Sequence, residues 1–350
     1  MTDTSAPSPA VLCPMCLGRV ALDTSQLWEW STAGADYRPL EIPDTATPEQ
    51  RRHVLRRAQV RCPNQAGQRP NHYLPYHYVD QERDPVVVAM VGAPASGKTH
   101  LLASMVGTLQ EKGTEELGIS VSPLDVELYQ AFTDTMVRPL LNGNKVLERT
   151  NTDVWEFVLG LVVRDLRAPA DPGRAVVFFD VSGEDMSTHE QVTGHSFLGI
   201  VDGFLFVISP EDLENDRMDA TVSAVLGAVE DRQDKAAVLV LGKADQLRFE
   251  QPVDRWLRES TLSLDPERLD AESRDVYAFI RRYGRGESYL RPWKEMGRSA
   301  IHVASATGSS RPTEDAPVYA RPVRPQRALQ PFLTLMHMTG VLPHRGKADS

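Results

Sequence analysis

Residues 86–100, VVVAMVGAPASGKTH, leave this chain few folds to choose from. The apolar, largely β-branched run from Val86 to Val91 has the length of one buried strand and is too short for a buried helix. It runs directly into a turn in which Gly92, Gly97, Lys98 and Thr99 satisfy G-x-x-x-x-G-K-[ST] without a mismatch. A turn of that spacing winds its successive backbone N–H groups inward, around phosphate oxygens. Glycine at its two ends permits backbone angles and close approaches that a Cβ would block. The stretch GKTHLLASMVGTLQEKG then reads as an amphipathic helix whose positive end faces the same place. The expected cradle is therefore Gly92, Ala93, Pro94, Ala95, Ser96, Gly97, Lys98, Thr99 and His100. In it Lys98 reaches the β- and γ-phosphates and the Thr99 hydroxyl coordinates Mg²⁺.

Four more runs resemble the first: RAVVFFDVSG (174–183), DGFLFVISP (202–210), AAVLVLGKAD (236–245) and AIHVASATG (300–308). VWEFVLGLVVRDL (154–166) is a weaker strand candidate. Helical patterns follow most of them, including RMDATVSAVLGAVEDRQ and QRALQPFLTLMHMTGVL. Strands apolar on both sides, alternating with helices, predict a three-layer α/β fold with a mainly parallel sheet between helices. The length of 350 residues suggests about two domains. The larger is expected over 81–342, with a charged helical insertion at about 247–296 beside the site, and a small module over 1–80. The module's one helix candidate, TPEQRRHVLRRAQ, has Thr47 as N-cap and Pro48 at its first position. VDQERDP reads as a linker, the proline-rich 309–326 as an extended surface loop, and 343–350 as a disordered tail.

The strand ends carry further chemistry. Asp180 and Gly183 form D-x-x-G, in which the carboxylate holds Mg²⁺ through water and the glycine N–H senses a γ-phosphate. The last two of the runs above end in GKAD and ASATG. Here the chain resembles the P-loop GTPase superfamily, whose base-reading motif N/T-K-x-D is matched by Lys243 and Asp245. The resemblance implies that the Lys243 stem packs on the purine and that Asp245 accepts from guanine N1–H and the 2-amino group. It also implies that Ser305 and Ala306 stand for the S-A signature, whose backbone contacts the guanine 6-oxo group. Gly242 departs from the usual Asn or Thr, so the side chain that braces this loop against the phosphate turn is missing. A buried Asp245 would be left unpaired against adenine, which sets GTP ahead of an ATP-dependent reading. GAPASGKTHLLASM, FFDVSGED, DGFLFVISPED and LVLGKADQL together resemble the bacterial double-GTPase family of GTPase-associated systems. That resemblance implies a role in immunity or stress signalling and, in some members, an amino-terminal cysteine-rich module.

A GTPase also needs a switch threonine and a water-positioning group. Thr150 is the preferred threonine, with Thr152, Thr133 and Thr135 as competitors. Glu184 stands where many GTPases carry glutamine, and His189, Gln191 and His195 follow it. A carboxylate beside a γ-phosphate is repelled, so intrinsic hydrolysis should be slow and should need a partner's arginine or a dimer contact. A non-hydrolysing, nucleotide-bound adaptor is the other class of function to weigh.

Cys13 and Cys16 in LCPMCLG have the spacing of half a zinc ribbon, and Cys62 is followed by His72 and His77. A Cys₃His set would hold structural Zn²⁺; likeness to related modules puts His72 in the fourth place. A metal-free module with reduced thiols is the alternative. The C-x-x-C lacks the βαβ surroundings of a redox motif. Its expected task is docking a protein partner. An odd cysteine count and an opening without an apolar leader predict a cytoplasmic protein without a disulfide framework. A net charge of −10 argues against nucleic acid as a partner, and no run is long enough for membrane insertion.

Overall fold

The structure, a computed structural model, describes residues 10–342 apart from 14–15, 17, 24, 32–35, 56, 65–71, 81–83, 113, 149–154, 169–172, 182–196, 216–218, 284–285, 310–312 and 314–315. Contacts divide the chain into two compact units: residues 1–85 with 123–126, and residues 86–122 with 127–350.

The first unit holds the antiparallel pair β1 (Ala10–Leu12) and β2 (Arg19–Ala21). A second, four-stranded antiparallel sheet follows, made of β3 (Leu27–Ser31), β4 (Asp36–Leu40), β5 (Gln59–Arg61) and β6 (Tyr73–Pro75) in the order β4-β3-β5-β6. Leu27, Val60 and Leu74 are buried side by side on one of its faces, as the period-2 alternation of a half-buried sheet requires. Glu29 is buried on the same strand and is paired with Arg38 and Arg57. The helix Pro48–Leu55 begins with a reciprocal cap. Thr47 N–H donates to Gln50 Oε1 at 2.9 Å, and Gln50 N–H to Thr47 Oγ1 at 3.3 Å.

The second unit is built on a seven-stranded sheet. Its strands are β7 (Val86–Val91), β8 (Ile119–Pro123), β9 (Trp155–Asp165), β10 (Arg174–Val181), β11 (Gly203–Ile208), β12 (Ala236–Leu241) and β13 (Arg298–Val303). Their order is β13-β12-β11-β7-β10-β9-β8. The five from β13 to β10 are mutually parallel, and β9 runs antiparallel to β10. Every residue of β7, β11 and β12 is buried, which is the state of a sheet covered on both faces. The Gln330–Met338 helix covers part of one face; all its residues from Gln330 to His337 are buried, and Phe332 meets Phe178 at 6.0 Å between ring centroids.

Between β12 and β13, residues 247–296 fold into the helices Val253–Leu257, Pro266–Ile280, Gly286–Tyr289 and Arg291–Glu295. The longest of them closes the sheet edge. Among the described residues β13 has a strand partner on one side only, and Ile301 N–H finds Ser273 Oγ at 3.0 Å while Val303 N–H finds Glu272 Oε1 at 3.1 Å. Edge donors that would otherwise invite another strand are thereby satisfied. Glu272 also meets His302 Nδ1 at 2.7 Å and pairs with Arg327, and His302 Nε2 lies 2.9 Å from Thr334 Oγ1.

The proline-rich run expected as a surface loop is fastened at several points. Val146 N–H donates to Pro317 O, Tyr319 N–H to Asn144 O, and Val323 N–H to Asn144 Oδ1, each at 2.8–2.9 Å. Val323 is buried, and at the far end Ser305 and Gln326 exchange both backbone bonds. Backbone pairing of this kind needs no apolar periodicity, so the sequence pattern does not announce it. The same holds for β8 at the sheet edge, whose half-exposed ISVSP has no strong strand signature.

Phe332→Ala should lower the unfolding free energy by about 3–5 kcal/mol, the usual cost of emptying a buried aromatic site; denaturant titration with an unchanged m-value checks this.

Candidate functional site

At the carboxyl end of β7 the chain turns through Gly92–Gly97 and enters the Lys98–Lys112 helix. Gly92 has no room for a side chain: a Cβ there would lie 2.6 Å from Ser96 Oγ and 2.7 Å from Val207 O of β11. Gly97 is needed for its backbone, at φ +99°, and Ala95 is held at φ +64°. A non-glycine residue in the left-handed region costs about 1 kcal/mol or more. The turn is therefore wound into its shape by surrounding structure. Lys98 Nζ donates to Gly92 O at 2.9 Å, folding the side chain back over the turn, and lies 4.0 Å from Asp180 Oδ1. Thr99 Oγ1 and Asp180 Oδ2 are 3.4 Å apart. Burial lowers the Lys98 pKa, while the carboxylates of Asp180 and Asp212 favour its charged form. A hydroxyl and a carboxylate facing each other beside this turn are the hard oxygen donors that Mg²⁺ takes. The His100 ring accepts from Leu147 N–H at 3.2 Å, so it is aimed along the 144–148 segment.

The other half of the crevice is made by the ends of β12 and β13. Gly242 N–H donates to Ile208 O at 2.8 Å, and a Cβ on Gly242 would lie 3.7 Å from Ser96 O. The loop after β12 thus abuts the phosphate turn through its backbone. Lys243 follows at φ +47°. Asp245 is buried and accepts from Ser305 Oγ at 2.5 Å, and Ser305 Oγ in turn accepts from Gly308 N–H at 2.9 Å. Ala306 is tied to the phosphate-turn helix, since its carbonyl accepts from Ser104 Oγ at 2.7 Å. Lys98 and Thr99 thus meet Asp180, while Asp245 meets Ser305 and Ala306 is tied to the helix that carries Lys98, all at the carboxyl ends of the parallel strands, where open α/β sheets bind ligands.

Gly183, Glu184 and Thr150, with Thr152, His189, Gln191 and His195, lie outside the described residues. The competitors Thr133 and Thr135 are placed elsewhere. Thr133 Oγ1 accepts from Gln110 Nε2 at 3.1 Å, and Gln110 sits about 16 Å along the helix from Thr99 at 1.5 Å rise per residue. Thr135 Oγ1 donates to Ala131 O at 2.7 Å.

Two acidic residues near the site did not stand out in the sequence. Asp212 is buried and forms a reciprocal cap with Ser209, accepting from Ser209 N–H at 2.8 Å while Asp212 N–H reaches Ser209 Oγ at 3.3 Å. The S-x-x-D of SPED after an apolar run was the available signal. Glu211 bonds Lys243 Nζ and Gln246 Nε2, each at 3.1 Å. Burial disfavours its charged form, but the hydrogen bonds from Gln246 and Lys243 outweigh that and draw its pKa down to about 2.

In the first unit, ligand atoms of Cys13, Cys16, Cys62 and His72 all lie within 4.8 Å of one another. Cys13 Sγ is 3.2 Å from His72 Nε2, and Cys16 Sγ is 3.6 Å from Cys62 Sγ. The thiols are unbridged. Cys13 N–H donates to Gly18 O at 2.7 Å, and Cys62 N–H to His72 O at 3.0 Å. His77 is exposed on the Tyr76–Val79 helix and outside this cluster. The donor set and its compactness fit a tetrahedral Cys₃His centre.

No protein-family model matches the chain, and no curated protein is similar to it in sequence. Among solved structures, similarity extends to the GDP complex of an ADP-ribosylation factor-like GTP-binding protein, the small COPII coat GTPase SAR1, of Encephalitozoon cuniculi. There the identity is 11% over 73% of this chain and 80% of that one, with a TM-score of 0.31. A bacterial selenocysteine-specific elongation factor, EF-Sec, is 14% identical over 64% of this chain and 26% of that one, at a TM-score of 0.29. The Roco2 RocCORdC fragment of Methanosarcina barkeri bound to GDP is 13% identical over 63% and 43%, at 0.28. This chain spans less than half the length of the latter two.

If the cysteine cluster is a structural metal centre, the purified chain carries about one Zn²⁺. A strong chelator or Cys62→Ser should then lower its thermal midpoint; elemental analysis and a melting curve in chelator read both.

Proposed function

We propose that the chain is a GTP-binding protein that hydrolyses GTP slowly and uses its nucleotide state to dock partner proteins. One observation carries the reading. A buried carboxylate, Asp245, is held by Ser305 in a loop that touches the phosphate turn. An acidic group at the base end of such a crevice favours a purine presenting two donors, N1–H and a 2-amino group, and guanine has both.

In this reading backbone N–H groups of the 92–99 turn, to which Pro94 contributes none, face the β- and γ-phosphates, and Lys98 adds a positive charge already folded over the turn. Thr99 and, through water, Asp180 would hold Mg²⁺, which would supply positive charge against the phosphates. Lys243 flanks the base, Asp245 reads its donor edge, and the Ser305–Ala306 backbone meets the 6-oxo group. Thr150 closes the first switch, Gly183 senses the γ-phosphate and Glu184 positions water, as the sequence pattern suggests. A carboxylate is a poor neighbour for a γ-phosphate, which keeps turnover slow without a partner's cation. The Cys₃His unit serves docking in this reading, and a role in a bacterial system of immunity or stress signalling rests on the sequence resemblance to the double-GTPase family.

Glu184 in place of glutamine also favours a second reading, a nucleotide-stabilised adaptor that does not hydrolyse. Single-turnover assays of wild type and Lys98→Ala separate the two.

Fluorescent GDP and GTP should bind well ahead of the ATP analogue, and Lys98→Ala should weaken GTP by about ten- to a hundredfold. Asp245→Asn should move preference from guanine to xanthine, because the amide can donate to a 2-oxo group. Equal binding of ATP and GTP by wild type, or an Asp245→Asn protein that still prefers guanine, would overturn the guanine reading.

A further inference from the structure

We infer that Glu211 is the positioning residue that braces the base-reading loop, in place of the side chain that Gly242 lacks. The inference rests on the guanine reading above and adds a residue from the helix that follows β11. Gly242 faces Ser96 O with no side chain to reach it, so nothing from position 242 ties the loop to the phosphate turn except backbone contact. The residues that follow need such a tie. Lys243 sits at φ +47°, a conformation that a lysine rarely adopts unless it is held there. Of the loop's four residues, Ala244 is anchored by its N–H to Ala304 O at 3.2 Å, and Asp245 by Ser305. The other two are anchored by Glu211: Oε2 takes Lys243 Nζ and Oε1 takes Gln246 Nε2.

The location of the clamp matters as much as its bonds. Glu211 lies in the Pro210–Asn215 helix, immediately beyond β11. β11 lies between β7 and β12 in the sheet, so its tip separates the phosphate turn from the base loop. A carboxylate there fastens the loop to the strand tip that also supplies Val207 O beneath Gly92. The start of that helix is itself locked by the Ser209–Asp212 cap and by Tyr289 Oη donating to Asp212 O at 2.7 Å. Glu211 is thus carried on a fixed support. Its side chain is 40% exposed and that of Lys243 33% exposed, which leaves both at the surface of the crevice, next to where a base would lie. Glu211 acts on the ligand through Lys243 and Gln246.

The test uses the full chain and measures binding of fluorescent GDP and of inorganic tripolyphosphate, which fills the phosphate turn without a base. Glu211→Ala should weaken GDP by about tenfold and leave tripolyphosphate unchanged. Glu211→Gln keeps the shape but loses the charge and should fall between; it also serves if the alanine variant folds poorly. The double variant Glu211→Ala/Lys243→Ala should lose less than the sum of the two single losses, since the two changes share the Lys243 bond and only the tie to Gln246 is lost in addition. Unchanged GDP affinity in both Glu211 variants, an equal loss for tripolyphosphate, or fully additive losses would each overturn the assignment. Wild type that takes tripolyphosphate but no guanine nucleotide would instead overturn the guanine reading, and this assignment with it.

Discussion

The central strands β7, β11 and β12 have no side chain that tolerates water on either face. They can exist only between two layers of helices, and the chain must cross from one strand to the next by way of those layers. Parallel strands joined in this manner deliver all their outgoing loops to one edge. The crevice follows from that burial. Residues 92–99, Glu211, Lys243–Gln246 and Ser305–Ala306 are far apart along the chain, yet each is the first segment beyond a strand or the start of the helix that follows it, and Asp180 is the next-to-last residue of its strand. Hydrophobic burial thus determines where the polar chemistry can gather.

Within the crevice the polar groups are fastened to one another in two sets. At the turn after β7 the tie is charge: a lysine whose burial disfavours protonation is kept beside the carboxylates of Asp180 and Asp212. Beyond β12 and β13 the ties are hydrogen bonds between neighbouring strand tips, from Ser305 to Asp245 and from Lys243 to Glu211. The two sets meet where Gly242 and Gly92 lie close to Ser96 and Val207, and any side chain added at Gly92 would collide with backbone there.

Much of this is legible in the sequence because it obeys short-range rules. The five parallel strands are announced by apolar runs, the cradle by its glycine spacing, and the cap of the Pro48–Leu55 helix by Thr47. The C-x-x-C half of the cysteine cluster is equally plain, and its completion by Cys62 and His72 is geometrically sound. The features that the pattern does not reveal depend on partners distant in sequence. β8 is a strand because β9 lies beside it. Glu211 looks like any acidic residue in a helix's first turn until Lys243 is brought next to it. Thr133 is an acceptable switch candidate by position alone, and only the fold shows it bonded to Gln110, at the far end of the helix from Thr99.

The backbone ribbon between residues 144–146 and 317–319 carries a consequence for how this chain tolerates change. Main-chain bonds are indifferent to side-chain identity, so replacing Tyr319 or Val318 leaves the pairing geometry intact. Chain length is another matter. One end of the 305–326 stretch is tied to the loop that holds Asp245, and its middle is tied to residues 144–146. Inserting or deleting a residue between those ties would slide one relative to the other, so this stretch should accept new letters far more readily than a new count of them.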